Sequence, residues 1–128
     1  MAVTAFSLGG HSYKKRQSQS GSFGVGRDWG GSCTVTAEHS GLCNFSSFGH
    51  VGYFAVKLYK NGERLASGDM YNKTSNNYGF DMFWAGQYDR GACSLMFRVK
   101  KGDVIKFECG PNNDSGDGTV YWNMVVYD

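Results

Sequence analysis

The residues best suited to chemistry in this 128-residue chain are aromatic and amide-rich rather than nucleophilic. Trp84, Tyr88, Asp89 and Arg90 fall in one short stretch, with Asn76, Asn77 and Tyr78 shortly before them. A saccharide site needs a flat aromatic face for the C–H side of the sugar ring, and amide, carboxylate or guanidinium groups for its hydroxyls. This stretch supplies both. Strand alternation sends one of Phe83 and Trp84 inward, and the expectation is that Trp84 faces outward. Trp29, flanked by Asp28 and two glycines, is hard to place in a core and is a second stacking candidate.

Metal and redox chemistry have thinner support. Asn113, Ser115 and Asp117, followed by Gly118, imitate the first half of a calcium loop. An EF-hand would need Glu where Met124 stands, so only a calcium-binding surface loop completed by distant ligands is left open. Cys33 and Cys43 bracket a short polar loop, and Cys93 and Cys109 are expected to meet across a hairpin. Both pairs are open to reading as disulfides or as free thiols. His39 between Cys33 and Cys43 fits no common zinc spacing. His11, His39 and His50 lack the context of a base, and Ser40 and Ser47 sit in no glycine elbow, so no catalysis is expected. Gly24-Val25-Gly26 lacks the third glycine and following helix of a dinucleotide fingerprint.

The elements that would position these residues are strands. Nineteen glycines, one proline and 16% aromatic residues suit short strands joined by glycine turns. Ala92 to Val99 and Asp103 to Cys109 alternate strictly, with Cys93, Leu95, Phe97, Val99, Ile105, Phe107 and Cys109 on one face. A hairpin about Lys100-Lys101-Gly102 would set Phe97 opposite Ile105, Leu95 opposite Phe107 and Cys93 opposite Cys109. Tyr53 to Lys60, Asn61-Gly62 and Glu63 to Ala66 form a second hairpin, since Asn-Gly favours the type I′ turn. Further strands are expected at Ala2 to Leu8, Cys33 to Ala37, Tyr78 to Ala85 and Val120 to Tyr127. The last is apolar on both faces, hence central, with one face available to a partner subunit. His11 to Gln19, including Lys14-Lys15-Arg16, reads as a solvated loop, and so does Glu38 to His50.

Size allows one domain over 1–128 with a single core. A net charge of +2 with dispersed basic residues argues against nucleic acid, and no apolar run spans a membrane. No signal peptide precedes the first strand, yet Asn44-Phe45-Ser46, Asn72-Lys73-Thr74 and Asn113-Asp114-Ser115 are glycosylation sequons, consistent with a secreted, extracellular protein.

Val56-Lys-Leu-Tyr-Lys-Asn-Gly-Glu63, Asp69-Met-Tyr-Asn-Lys73, Leu95-Met-Phe-Arg-Val-Lys-Lys-Gly-Asp-Val104 and the closing apolar strand together resemble the globular heads of the complement q subunit and cerebellin. The resemblance implies a jelly-roll of the tumour-necrosis-factor type, secreted and usually trimeric, whose members bind proteins or glycans. Val99 to Phe107 with Asp117 to Trp122 is also similar to sugar-binding modules of glycoside hydrolases. The expectation is therefore an all-β jelly-roll β-sandwich of roughly eight to ten antiparallel strands. Its expected role is that of a non-catalytic, lectin-like domain binding glycans or glycoproteins as a homo-oligomer, a trimer being favoured. The alternatives are a protein-binding or structural trimeric head, a carbohydrate-binding module and a viral fibre tip.

Overall fold

The computed structural model describes residues 4–26, 29–49, 54–70, 91–110 and 118–128. Nine strands run through them: β1 (Ala5–Leu8), β2 (His11–Val25), β3 (Gly31–Thr36), β4 (Gly41–Gly49), β5 (Phe54–Lys60), β6 (Glu63–Met70), β7 (Gly91–Val99), β8 (Val104–Gly110) and β9 (Gly118–Tyr127). They make a five-stranded sheet ordered β1-β2-β9-β4-β7 and a four-stranded sheet ordered β3-β8-β5-β6. Every ladder is antiparallel, and the partners nest: β2 with β9, β3 with β8, β4 with β7, β5 with β6. A long folded-back ladder of this kind, with successive pairs alternating between two sheets, is a jelly-roll. β1 adds an outer strand. No helix among the described residues is long and apolar enough to cross a membrane.

The inward faces are those the alternation predicts. Val99, Ile105, Phe107 and Cys109 are buried, with Leu95 and Phe97 packed against them. The pairing expected between the two segments is wrong. β7 lies in the five-stranded sheet, where Phe97 stands opposite Cys43 and Cys93 opposite Ser47. β8 lies in the other sheet, where Phe107 stands opposite Cys33 and Leu58 and Cys109 opposite Gly31 and Val56. The turn at Lys100–Gly102, with Gly102 at φ 96°, is a corner between sheets and not a hairpin. The cross-strand juxtaposition of Cys93 and Cys109 does not exist. The β5–β6 hairpin forms as expected, with Asn61 and Gly62 at φ 53° and 84°.

Two segments expected to be loops are strands. His11 to Gln19 begins β2. There Tyr13 is buried under Phe6, their rings stacked at 4.9 Å. Gln17, also buried, donates to the Thr36 carbonyl at 2.9 Å and accepts the Glu38 N–H at 2.8 Å. Glu38 to His50 contains β4, whose Cys43 and Phe45 enter the core while Ser47 Oγ donates to the Tyr121 carbonyl at 2.9 Å. Asn44 consequently sits within a paired strand, where a sequon was expected in a loop. β9 is central, as expected. Part of its second face is covered by the chain itself: Val125 and Tyr127 pack with Tyr13 and Leu42 beneath Phe6. The strand expected at Tyr78 to Ala85 lies outside the described residues.

The sandwich has two distinct ends. At one, the tight turns Gly9–Gly10, Asn61–Gly62 and Lys100–Gly102 gather with the 37–40 connection. Asp103 pins this end: Oδ2 accepts the Lys100 N–H at 2.8 Å and Oδ1 accepts Asn61 Nδ2 at 2.9 Å. Asn61 Oδ1 in turn accepts the Val104 N–H at 2.8 Å, and Lys101 N–H donates to Ser40 Oγ at 2.9 Å. At the other end, the register brings Val25, Gly118, Gly49 and Gly91 together in one sheet, and Gly31, Gly110, Phe54 and Met70 in the other. The longer connections depart from there.

The Lys100 N–H and then Asn61 hold the Asp103 carboxyl below its ordinary value. A depressed carboxylate stabilises the fold fully above its unfolded value, near pH 4, and the contribution is lost as pH falls through the lower folded value. Asp103→Asn should therefore lower Tm at pH 6 and have a smaller effect at pH 2.5, as read by thermal denaturation across that range. An equal loss at both values would show that the carboxylate charge contributes nothing.

Candidate functional site

At the long-connection end, Trp29 is the one expected stacking tryptophan that falls among the described residues. It is 49% exposed. Its conformation follows from the glycines around it. The Gly26 N–H donates to the Trp29 carbonyl at 2.9 Å, closing the β2–β3 connection. The indole then lies against bare backbone: a Cβ on Gly26 would stand 2.0 Å from Trp29 Nε1, and one on Gly24 would stand 3.1 Å from its ring. Gly-Val-Gly is thus a bed for a tryptophan. The ring is supported by these glycines and about half of the residue is left to solvent.

Immediately after Trp29 the chain enters a cleft of about 440 Å³, lined by Gly30, Gly31, Ser32, Lys57, Glu108, Cys109 and Gly110. That volume lies within the range of small-ligand pockets. The floor is backbone, because β3 and β8 approach so closely that a Cβ on Gly30 would meet the Cys109 carbonyl oxygen at 2.5 Å. The wall is polar. Glu108 stands opposite Lys57 in the ladder and pairs with Lys106 at 3.1 Å. Lys106, and then the Tyr59 hydroxyl, hold its carboxyl below the ordinary value, so at neutral pH it is an ionised acceptor. Tyr59 is raised, by desolvation first and by Glu108 next. Ser32, Lys57 and Glu108 thus offer a hydroxyl, an ammonium and a carboxylate in a cleft whose lining begins at Gly30, the residue after Trp29.

The other expected residues divide plainly. Trp84, Tyr88, Asp89, Arg90, Asn77 and Tyr78 lie outside the described residues, as do Asp28 and the calcium candidates Asn113, Ser115 and Asp117. The strand ends to which these segments join, Met70 with Gly91 and Gly110 with Gly118, belong to the same end of the sandwich as Trp29. Among the described residues no group of three or more His, Cys, Asp or Glu is placed to hold a metal.

Cys33 and Cys43 are free thiols, so of the two readings left open for this pair the free-thiol one holds and the disulfide does not form. They stand on β3 and β4, in different sheets, within the apolar core. Burial pushes Cys33 up to about 11, against a hydrogen bond from the Phe107 backbone, and Cys43 up to about 12. Such thiols are poor nucleophiles and poor metal ligands. Glu108, Lys57 and Ser32 escaped the sequence reading. Alternation placed Glu108 and Lys57 on an outward face, but only the strand order β3-β8-β5 brings the three together.

No family model matches the sequence, and no curated protein matches it. Among solved structures, the chain is similar to Eiger TNF from S. frugiperda, with a TM-score of 0.45 and 12% identity over 73% of this chain. It is also similar to a β-glucosidase from Paenibacillus barengoltzii, with a TM-score of 0.40 and 15% identity over 74% of this chain. The match spans 63% of the first protein's length and 9% of the second's. Both are coarse likenesses of fold.

Gly26→Ala should displace the indole without disturbing either sheet. The expected result is a changed near-UV circular dichroism and easier acrylamide quenching of Trp29, with Tm nearly unchanged. An unaltered Trp29 signal would show that the ring does not rest on this bed.

Proposed function

We propose that this chain is a non-catalytic recognition domain that binds carbohydrate at the long-connection end of the sandwich. The observation that carries the reading is the exposed Trp29 indole, backed by glycine and standing one residue before a cleft lined by Ser32, Lys57 and Glu108. A sugar ring stacks its C–H face on an indole and presents vicinal hydroxyls to a carboxylate and an ammonium. Glu108 accepts from the diol, and Lys57 and Ser32 donate to the remaining oxygens. Single sites of this kind are weak, so several copies of the domain would raise avidity through effective concentration. On this reading the protein is secreted and meets glycans or glycoproteins; calcium enters only through the Asn113–Gly118 segment.

A second reading is favoured by one patch on the outer face of the five-stranded sheet. Phe48 and Tyr121 are stacked at 4.9 Å and are 50% and 41% exposed. Apolar surface of this kind seals copies of a structural or protein-binding head into an oligomer, a trimer included.

One titration separates the two. Free mono- and oligosaccharides should shift the intrinsic tryptophan emission saturably. Trp29→Ala should remove that response while preserving the fold, at a cost of tenfold or more in affinity. An emission indifferent to sugar, together with a mass that falls on dilution and with Tyr121→Lys, would replace the lectin reading by the structural head.

A further inference from the structure

The opposite end of the sandwich carries a second cleft, of about 510 Å³, lined among others by Ser40, Lys60, Arg98, Lys100, Asp103 and Asp128. Its donors and acceptors are unequal in what remains to them. Asp103 has both carboxylate oxygens occupied, by the Lys100 N–H and by Asn61 Nδ2. Asp128 exchanges backbone hydrogen bonds with Lys14, at 3.1 and 2.9 Å. Residues so paired in an antiparallel ladder share a face, so the Lys14 ammonium stands on the side of the Asp128 carboxylate. Asp103 is thus taken up by neighbours of its own, while Asp128 stands exposed at the edge of the cleft, across the ladder from Lys14.

The donors are not consumed in the same way. Lys60 Nζ gives one proton to the Arg98 carbonyl at 3.2 Å, which fixes the ammonium at the cleft and leaves its other protons available. Ser40 Oγ accepts the Lys101 N–H at 2.9 Å, leaving its own hydroxyl hydrogen to donate. Arg98 brings a guanidinium fork, and Lys100 a further ammonium. The floor is rigid: at Gly41 a Cβ would stand 2.0 Å from the Tyr127 carbonyl oxygen. The basic run Lys14-Lys15-Arg16 belongs to β2 at this same end, and so adds to its positive potential.

We infer that this cleft is an oxyanion site, in which the Arg98 fork, the Lys60 and Lys100 ammoniums and the Ser40 hydroxyl hold a sulfate, phosphate or carboxylate group. The inference does not rest on the saccharide reading of the other end. It gives the basic run of β2 a role in drawing anionic ligands towards the turn end, and it makes the sandwich a domain with two separate contact sites.

The test is a ¹H–¹⁵N titration of the intact chain with sodium sulfate, sodium phosphate and sodium acetate in parallel, at ionic strength held constant with sodium chloride. At least one oxyanion should shift the amides of Ser40, Gly41, Lys100 and Lys101 saturably, and the tightest of the three identifies the group as tetrahedral or planar. Arg98→Gln, an exposed substitution, should weaken that binding about tenfold or more while the remaining spectrum stays in place. Lys60→Gln serves as a second variant with the same expectation. Linear shifts with all three anions, or equal affinity in both variants, would overturn the proposal.

Discussion

The structure depends on one contact made across the space between its sheets. Phe107 projects from β8 in the four-stranded sheet and meets Phe45 of β4 at 4.9 Å and Phe23 of β2 at 6.2 Å, both from the five-stranded sheet. Phe45 in turn stacks on Trp122 of β9, with ring planes 5° apart. Each such pair adds about 0.5–1.5 kcal/mol beyond the burial of its area. More important is what the cluster forces. Four strands distant in sequence must converge on one point, so each connection between them has to carry the chain from one sheet to the other. The corner at Lys100–Gly102 and the β2–β3 connection bearing Trp29 are both consequences of that demand.

The same cluster explains what could be read from the sequence and what could not. Alternation in the segments around Leu95 to Val99 and Ile105 to Cys109 identified the inward residues correctly. It could not tell two neighbours in one sheet from two strands facing each other across a core, because both present one apolar face to the same interior. The short Lys-Lys-Gly turn then suggested a hairpin, and the supposed meeting of Cys93 and Cys109 followed from it. The Asn61-Gly62 hairpin was legible because its turn demands positive φ at two successive residues, a local property. The first half of β2 was missed because it buries only Tyr13 and Gln17. Gln17 is held by hydrogen bonds to the chain around β3, which composition does not reveal.

The candidate site was legible in part for a similar reason. Trp29 stood out because Asp28 and two glycines flank it and make it hard to place in a core, and the structure leaves it half exposed. Its partners did not stand out. Glu108 and Lys57 belong to strands far apart in the chain, and they meet only through the order of the sheet. The jelly-roll also divides its surface by kind. Hydrogen-bonded turns hold one end rigidly around Asp103. At the other end lie the strand ends to which the two segments densest in sequence chemistry are joined. An aromatic platform at one end and a cationic cleft at the other can then vary independently, since the core between them is fixed by Phe107 and its neighbours.

The most direct test of the central claim is a glycan-array screen of the purified, folded domain, performed with and without calcium. The account predicts selective binding to a defined set of saccharides, with any calcium dependence arising from the Asn113–Gly118 segment. Silence across the array in both conditions, from a sample shown to be folded, would contradict carbohydrate recognition and leave the outer aromatic patch as the functional surface.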